Sequence, residues 1–125
     1  MSQVRSPGDM LRAFHKKYDL GNGDADFSDE NVRFERDEIM FEEISEFAVE
    51  MEVGTDERAA LKEACDVVVT IVGTCERFGW DFDKAFRKVM ESNMTKGNRD
   101  GSFSKNGKKL QKGTMYTAPD LSECV

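Results

Sequence analysis

Residues 42–66 read EEISEFAVEMEVGTDERAALKEACD. Two acidic pairs sit in this stretch, Glu43-x-x-Glu46 and Glu63-x-x-Asp66. A spacing of i, i+3 puts both members of a pair on one face of an α-helix. Sixteen residues separate Glu46 from Glu63, enough to finish one helix, turn and begin the next. Two antiparallel helices then direct four carboxylates at one place. Converging carboxylates repel unless cations sit among them, so the spacing predicts a divalent-metal site.

Working outward, Gly54 stops the first of these helices, which begins at about Asp29 with Ser28 as its N-cap and ends near Glu52. Thr55 caps the next, with Asp56 and Glu57 in its favourable first turn. That helix runs to about Arg77 and stops at Gly79. A shorter helix is expected before them, from about Asp9 to Tyr18 and ended by Gly21-Asn22-Gly23. Another follows, capped by Asp81 and reaching about Ser92. The remainder is loop-rich, with the turn dipeptides Asp100-Gly101 and Asn106-Gly107 and a plausible short hairpin. The expected fold is therefore all-α, a four-helix bundle with a C-terminal loop and hairpin tail. It forms one domain over residues 1–125, with a helical core at about 9–93 and a basic tail at about 94–125.

Helical residues advance about 100° each. Met40, Ile44, Phe47 and Met51 then form an apolar stripe, with Glu43, Glu46 and Glu50 directly beside it and Glu42 further toward solvent. In the following helix, Leu61, Ala64, Val68, Ile71, Val72 and Cys75 make a broad apolar face that Val67 and Val69 extend. Between Ala64 and Val72 the only polar side chains are Asp66 and Thr70, which predicts a segment buried nearly all round with Asp66 inside or beside the core. A buried carboxylate requires a cation or hydrogen-bond partner. The competing reading is an ordinary salt bridge, to Arg33, Arg36 or Lys62. An all-oxygen donor set suits Mg²⁺, Mn²⁺ or Ca²⁺ rather than Zn²⁺ or Cu²⁺. His15 is the only histidine, which disfavours a di-iron bundle built on Glu-x-x-His.

Composition narrows the class. The 125 residues are 38% hydrophobic and 34% charged, which fits a single helix-rich domain. Apolar runs such as Val67–Val69 are far too short to span a membrane. The opening MSQVRSPGDML has no apolar core of the kind a secretory signal needs. Cys65, Cys75 and Cys124 make no CxxC motif, and the expectation is a reducing, cytoplasmic setting with no cysteine zinc site. The net charge of −7 argues against non-specific nucleic-acid binding. The charge is unevenly placed: Lys96, Arg99, Lys105, Lys108, Lys109 and Lys112 face the single acid Asp100 between Met94 and Gly113. That basic tail reads either as a solvated face or as a phosphate-facing flap over the acidic site.

The run Glu42-Glu43-Ile44-Ser45-Glu46 followed by Glu63-Ala64-Cys65-Asp66 resembles the EExxE…ExxD pattern of the MazG-like, all-α nucleoside triphosphate pyrophosphohydrolases. Further segments are similar to a phage-type, phosphoribosyl-ATP pyrophosphohydrolase-like branch. These are Phe14-His15-Lys16-Lys17-Tyr18, Gly79-Trp80-Asp81-Phe82-Asp83, Glu91-Ser92-Asn93-Met94-Thr95-Lys96, and the tail with Asn106-Gly107-Lys108, Lys112-Gly113, Tyr116 and Pro119-Asp120-Leu121. The resemblance spans about residues 10–121. Two positions depart from it: many relatives carry histidine where Met90 stands and Pro-Pro where this chain has Ala118-Pro119.

The resemblance implies Mg²⁺-dependent hydrolysis, with Mn²⁺ as a substitute, of a (deoxy)nucleoside triphosphate to a monophosphate and pyrophosphate, in nucleotide-pool control or house-cleaning. It makes Glu43, Glu46, Glu63 and Asp66 the metal ligands, with Glu43 or Glu46 the catalytic base and Glu42 and Glu50 supporting them. Asn93 and Lys96 then touch phosphate and sugar, and Lys108, Lys109 and Lys112 close over the phosphates. His15 is a candidate for base or phosphate contact. Trp80 is a candidate for stacking on the base, against core packing at the start of the fourth helix. Phe34, Phe41 and Phe86 are expected in the core or at a subunit interface. A helix apolar on so many sides predicts a homodimer or homotetramer. The rival enzyme is a phosphoribosyl-ATP pyrophosphohydrolase. The rival of another class is a non-catalytic helical dimerisation or nucleotide-sensing module, in which salt bridges satisfy the carboxylates.

Overall fold

The computed structural model describes residues 5–125; the first four residues of the opening stretch read for a secretory signal lie outside it. Four helices and a two-stranded hairpin make up the regular structure among the described residues: α1 (Pro7–Lys17), α2 (Glu30–Val53), α3 (Glu57–Arg77), α4 (Phe82–Asn93), β1 (Lys105–Asn106) and β2 (Lys109–Leu110). The all-α reading holds. No described helix is long and apolar enough to cross a membrane.

The helix ends follow capping chemistry. Ser6 caps α1 by accepting from the Asp9 amide, and Pro7 fills the first turn, where no N–H is needed. The cap of α2 is Asp29, which accepts from the amides of Asn31 and Val32. Ser28, the expected cap, instead spends its N–H and hydroxyl on Asp26 Oδ1, at 2.9 and 2.8 Å. Gly54 ends α2 in the left-handed region at φ 67°, where a side chain would strain the backbone. Asp56, rather than Thr55, caps α3 through the Ala59 amide. In the tail, Lys105 pairs with Leu110 and Asn106 with Lys109, and Gly107 turns the chain at φ 64°.

The chain divides into two compact units, the first ending at Asp81 and the second covering Phe82–Val125. In the first, α3 packs against both α1 and α2. The expected four-helix bundle is therefore three helices in this unit, while α4 belongs with the tail. In the second unit, the Ser92 hydroxyl donates to the Thr117 carbonyl at 2.6 Å, and the Gly113 amide donates to the Lys96 carbonyl at 2.7 Å. A Cβ on Gly113 would lie 2.6 Å from that same carbonyl oxygen, so the two strands of tail meet too closely for any other residue.

The buried face of α3 is Thr70, Val72, Gly73, Thr74 and Glu76, which corrects the expected apolar one. Leu61, Val68 and Ile71 are 67%, 48% and 39% exposed, and Phe34, Phe41 and Phe86 are exposed too, not core. Two arginines make the polar face workable. Arg36 from α2 donates Nε to the Thr74 hydroxyl at 2.9 Å and Nη2 to the Thr70 carbonyl at 3.1 Å. Arg12 from α1 donates to both oxygens of Glu76, at 3.2 and 3.0 Å. Gly73 lets α1 and α2 approach, since a Cβ there would meet His15 Nε2 at 2.9 Å and Arg36 Nη2 at 3.1 Å.

Candidate metal centre

Arg36 reaches Thr70 and Thr74, while Glu43, further along α2, meets Glu63 and Asp66, earlier on α3. The two helices therefore run antiparallel, and their acidic faces coincide near the Gly54 turn. Glu43, Glu63 and Asp66 each offer an oxygen within 4.8 Å of the others, and all three are half-buried. Glu46 adds a fourth carboxyl from the exposed margin, within hydrogen-bonding reach of Glu63 and Glu43. Glu42 points to solvent and Glu50 is half-buried one turn beyond Glu46. Asp66 is not enclosed as expected: its side chain is 34% exposed.

Among the described residues, one cation answers this charge. Lys62 Nζ lies 2.7 Å from Asp66 Oδ2 and 3.3 Å from Glu63 Oε1. Its hydrogen bonds to Asp66 and then Glu63 hold its pKa above the ordinary 10.5. Lys62 is 67% exposed, so the bridge is a weak, solvent-screened one. It leaves two oxygens unanswered. Among the described residues, Glu43 Oε2 and Glu63 Oε2 are shielded from solvent and have no hydrogen-bond partner. Shielded carboxylate oxygens without partners are costly. Two of them, in an all-oxygen cluster, fit a hard divalent cation such as Mg²⁺ or Mn²⁺.

The crowding shows in Glu46. The Glu43 carboxylate, then desolvation, then Glu63 push its pKa above the ordinary 4.5. Its folded value therefore exceeds its unfolded one. The associated stability is present below about pH 4.5 and is lost as pH rises through the raised value. Without divalent metal, Glu46→Gln should melt higher than the parent protein at pH 7, with the gap shrinking at pH 4. Thermal scans in a chelator check this, and an equal or lower melting temperature at pH 7 contradicts it.

The other expected site residues have surroundings of their own. His15 is 3% exposed, buried among α1, α2 and α3. Its Nδ1 lies 2.7 Å from the Gly21 carbonyl, and its ring packs on Gly73. Trp80 joins an aromatic cluster, with ring centroids 5.3 Å from Phe27 and 5.1 Å from Phe78. Asn93, Lys96, Lys108, Lys109 and Lys112 belong to the second unit. Asn93 and Lys96 are half-buried there, Lys108 and Lys109 are exposed, and Lys112 lies 4.9 Å over the Tyr116 ring. Sequence reasoning missed the Arg12–Glu76 pair and treated Arg36 only as a salt-bridge candidate. Arg36 is two turns before Glu43 on the same face of α2, and that spacing was the available signal.

A search against protein-family models and a search of curated proteins each gave no significant match. The likeness to the MazG-like enzymes thus rests on the motif residues quoted above.

Proposed function

We propose that the protein is a Mg²⁺-dependent nucleoside triphosphate pyrophosphohydrolase of MazG-like type, which splits the α–β phosphoanhydride. The observation that carries this reading is the pair of solvent-shielded, unpartnered oxygens, Glu43 Oε2 and Glu63 Oε2, inside a convergent acidic cluster. Glu43, Glu46, Glu63 and Asp66 would hold the ion. When bound, Mg²⁺ supplies neutralising charge for phosphates and acidity for a nearby water.

The reaction consumes one water. The water adds to one phosphorus of the α–β anhydride, the bridging P–O bond breaks, and monophosphate and pyrophosphate separate. Phosphoryl chemistry asks the protein for positioning and charge more than for covalent steps. Glu46, exposed and with a raised proton affinity, is suited to accept the water's proton. Glu43, half-buried beside Glu63 and Asp66, holds the geometry. The exposed apolar residues of α2 and α3, among them Phe41, Ile44, Leu61 and Val68, are proposed to meet a second copy of the chain.

Lys62 favours one other reading. If its bridge to Glu63 and Asp66 is the cluster's only task, the chain is a non-catalytic helical module. Incubation with each ribo- and deoxynucleoside triphosphate and Mg²⁺, with the products resolved, separates the two. Equal amounts of monophosphate and pyrophosphate are expected. No turnover of any nucleotide, together with no Mg²⁺ binding by calorimetry, overturns the enzyme reading. Release of single phosphates would place the cut at a different bond.

A further inference from the structure

A groove of about 470 Å³ opens between α2, α3 and the loop before α2. Its walls are aromatic and aliphatic: Phe27, Phe34, Met40, Ile71, Phe78 and Trp80. Among these, the rings of Phe27, Phe78 and Trp80 stand 5.1–5.3 Å apart, and Arg33 lies 5.5 Å over Phe27. Such walls suit a flat, apolar-faced ring.

Arg33, Arg36, Asp37 and Thr74 break the apolar lining, and Arg36 and Asp37 stand at neighbouring positions of α2. Arg36 is 8% exposed. Among the described residues, no carboxylate lies within 4.0 Å of its guanidinium. Its two hydrogen bonds go to neutral oxygens of Thr74 and Thr70 and use Nε and Nη2, so neither uses Nη1. Burial first, then the nearby Arg77, lowers its pKa. A buried cation held only by neutral acceptors is costly unless a further acceptor reaches it. Asp37 beside it is exposed, and its carboxylate can accept hydrogen bonds but not donate them.

We infer that this groove receives a heteroaromatic ring whose edge carries a carbonyl next to a ring N–H, the lactam edge of guanine, uracil or thymine. The carbonyl accepts from Arg36, and the ring N–H donates to Asp37. Adenine and cytosine present an amino group and a bare ring nitrogen there, so a donor would face Arg36 and an acceptor would face Asp37. The inference rests on the nucleotide reading above and names the bases it prefers. Spacing agrees with it. Met40 is one turn and Arg36 two turns from Glu43, about 5 and 10 Å along the helix. A base in the groove and phosphates at the carboxylates are thus a nucleotide's length apart.

Trp80 is the only tryptophan in the chain and lines the groove, so a change in its emission follows the groove's occupancy. The test titrates guanosine, uridine, adenosine and cytidine into the protein in excess chelator, where no hydrolysis occurs. Guanosine and uridine should change the emission at concentrations at least tenfold lower than adenosine and cytidine. That preference should shrink to within about twofold in Asp37→Ala. Asp37 is exposed, so this variant should fold even where a substitution of buried Arg36 does not. Equal responses to all four nucleosides, or none, overturn the inference. So does an emission that follows protein concentration instead, since a second copy would then occupy the groove. Nucleoside binding without triphosphate hydrolysis would keep the groove and remove the enzyme reading. Hydrolysis without base preference would do the reverse.

Discussion

Asp66→Asn is expected to slow pyrophosphate release in Mg²⁺ by at least about 100-fold while leaving the fold intact. Loss of residues that merely orient metal ligands costs 10- to about 100-fold, and a direct ligand should cost no less. The substitution keeps the side chain's shape and removes one negative charge from the cluster. Asp66 is 34% exposed and its bridge to Lys62 is solvent-screened, so little native stability is at stake. Reduced repulsion with Glu43 and Glu63 offsets part of that loss. Metal linkage provides the second readout. An ion that binds only the folded chain stabilises it by about 2.7 kcal/mol at one hundred times its Kd. The parent protein should therefore melt higher in Mg²⁺ than in chelator, and Asp66→Asn should lose most of this increment. Glu46→Gln should lose activity similarly. If both variants keep the parent's turnover, or if Mg²⁺ never raises the parent's melting temperature, the carboxylates are not a metal site.

The helices were legible because their ends are written in local chemistry: a Gly at the end of α2, acidic first turns, and apolar residues at helical spacing. The α2 cap moved from Ser28 to Asp29 because Asp26 takes the N–H and hydroxyl of Ser28, leaving Asp29 to accept from the amides of Asn31 and Val32. Convergence of the two acidic pairs was legible because i, i+3 spacing and a short turn leave an antiparallel pair few alternatives. The depth of the site was not. Periodicity shows which residues share a face, but not which faces a neighbour covers, and Val68 and Ile71 proved exposed in the single chain. The buried polar face of α3 was hidden for the opposite reason. Thr70, Thr74 and Glu76 look like surface residues until Arg36 and Arg12 from other helices satisfy them. Long-range pairing of this kind leaves no periodic trace.

That pairing also sets the largest expected loss of stability. Glu76 is 3% exposed, and Arg12 gives it two hydrogen bonds from α1, 64 residues away in sequence. Arg12→Met keeps much of the apolar stem and strands the carboxylate. Removing one partner of a fully buried pair costs about 3–5 kcal/mol. The Arg12 side chain is 50% exposed, so solvent screening places the expectation nearer about 2–3 kcal/mol. For a unit of this size that lowers the melting temperature by roughly 10 °C. The discriminating measurement is the double variant Arg12→Met with Glu76→Gln. If the loss comes from an uncompensated buried charge, neutralising Glu76 should recover part of it, and the double variant should melt above Arg12→Met alone. If instead Arg12 acts through packing between α1 and α3, the second substitution adds to the damage.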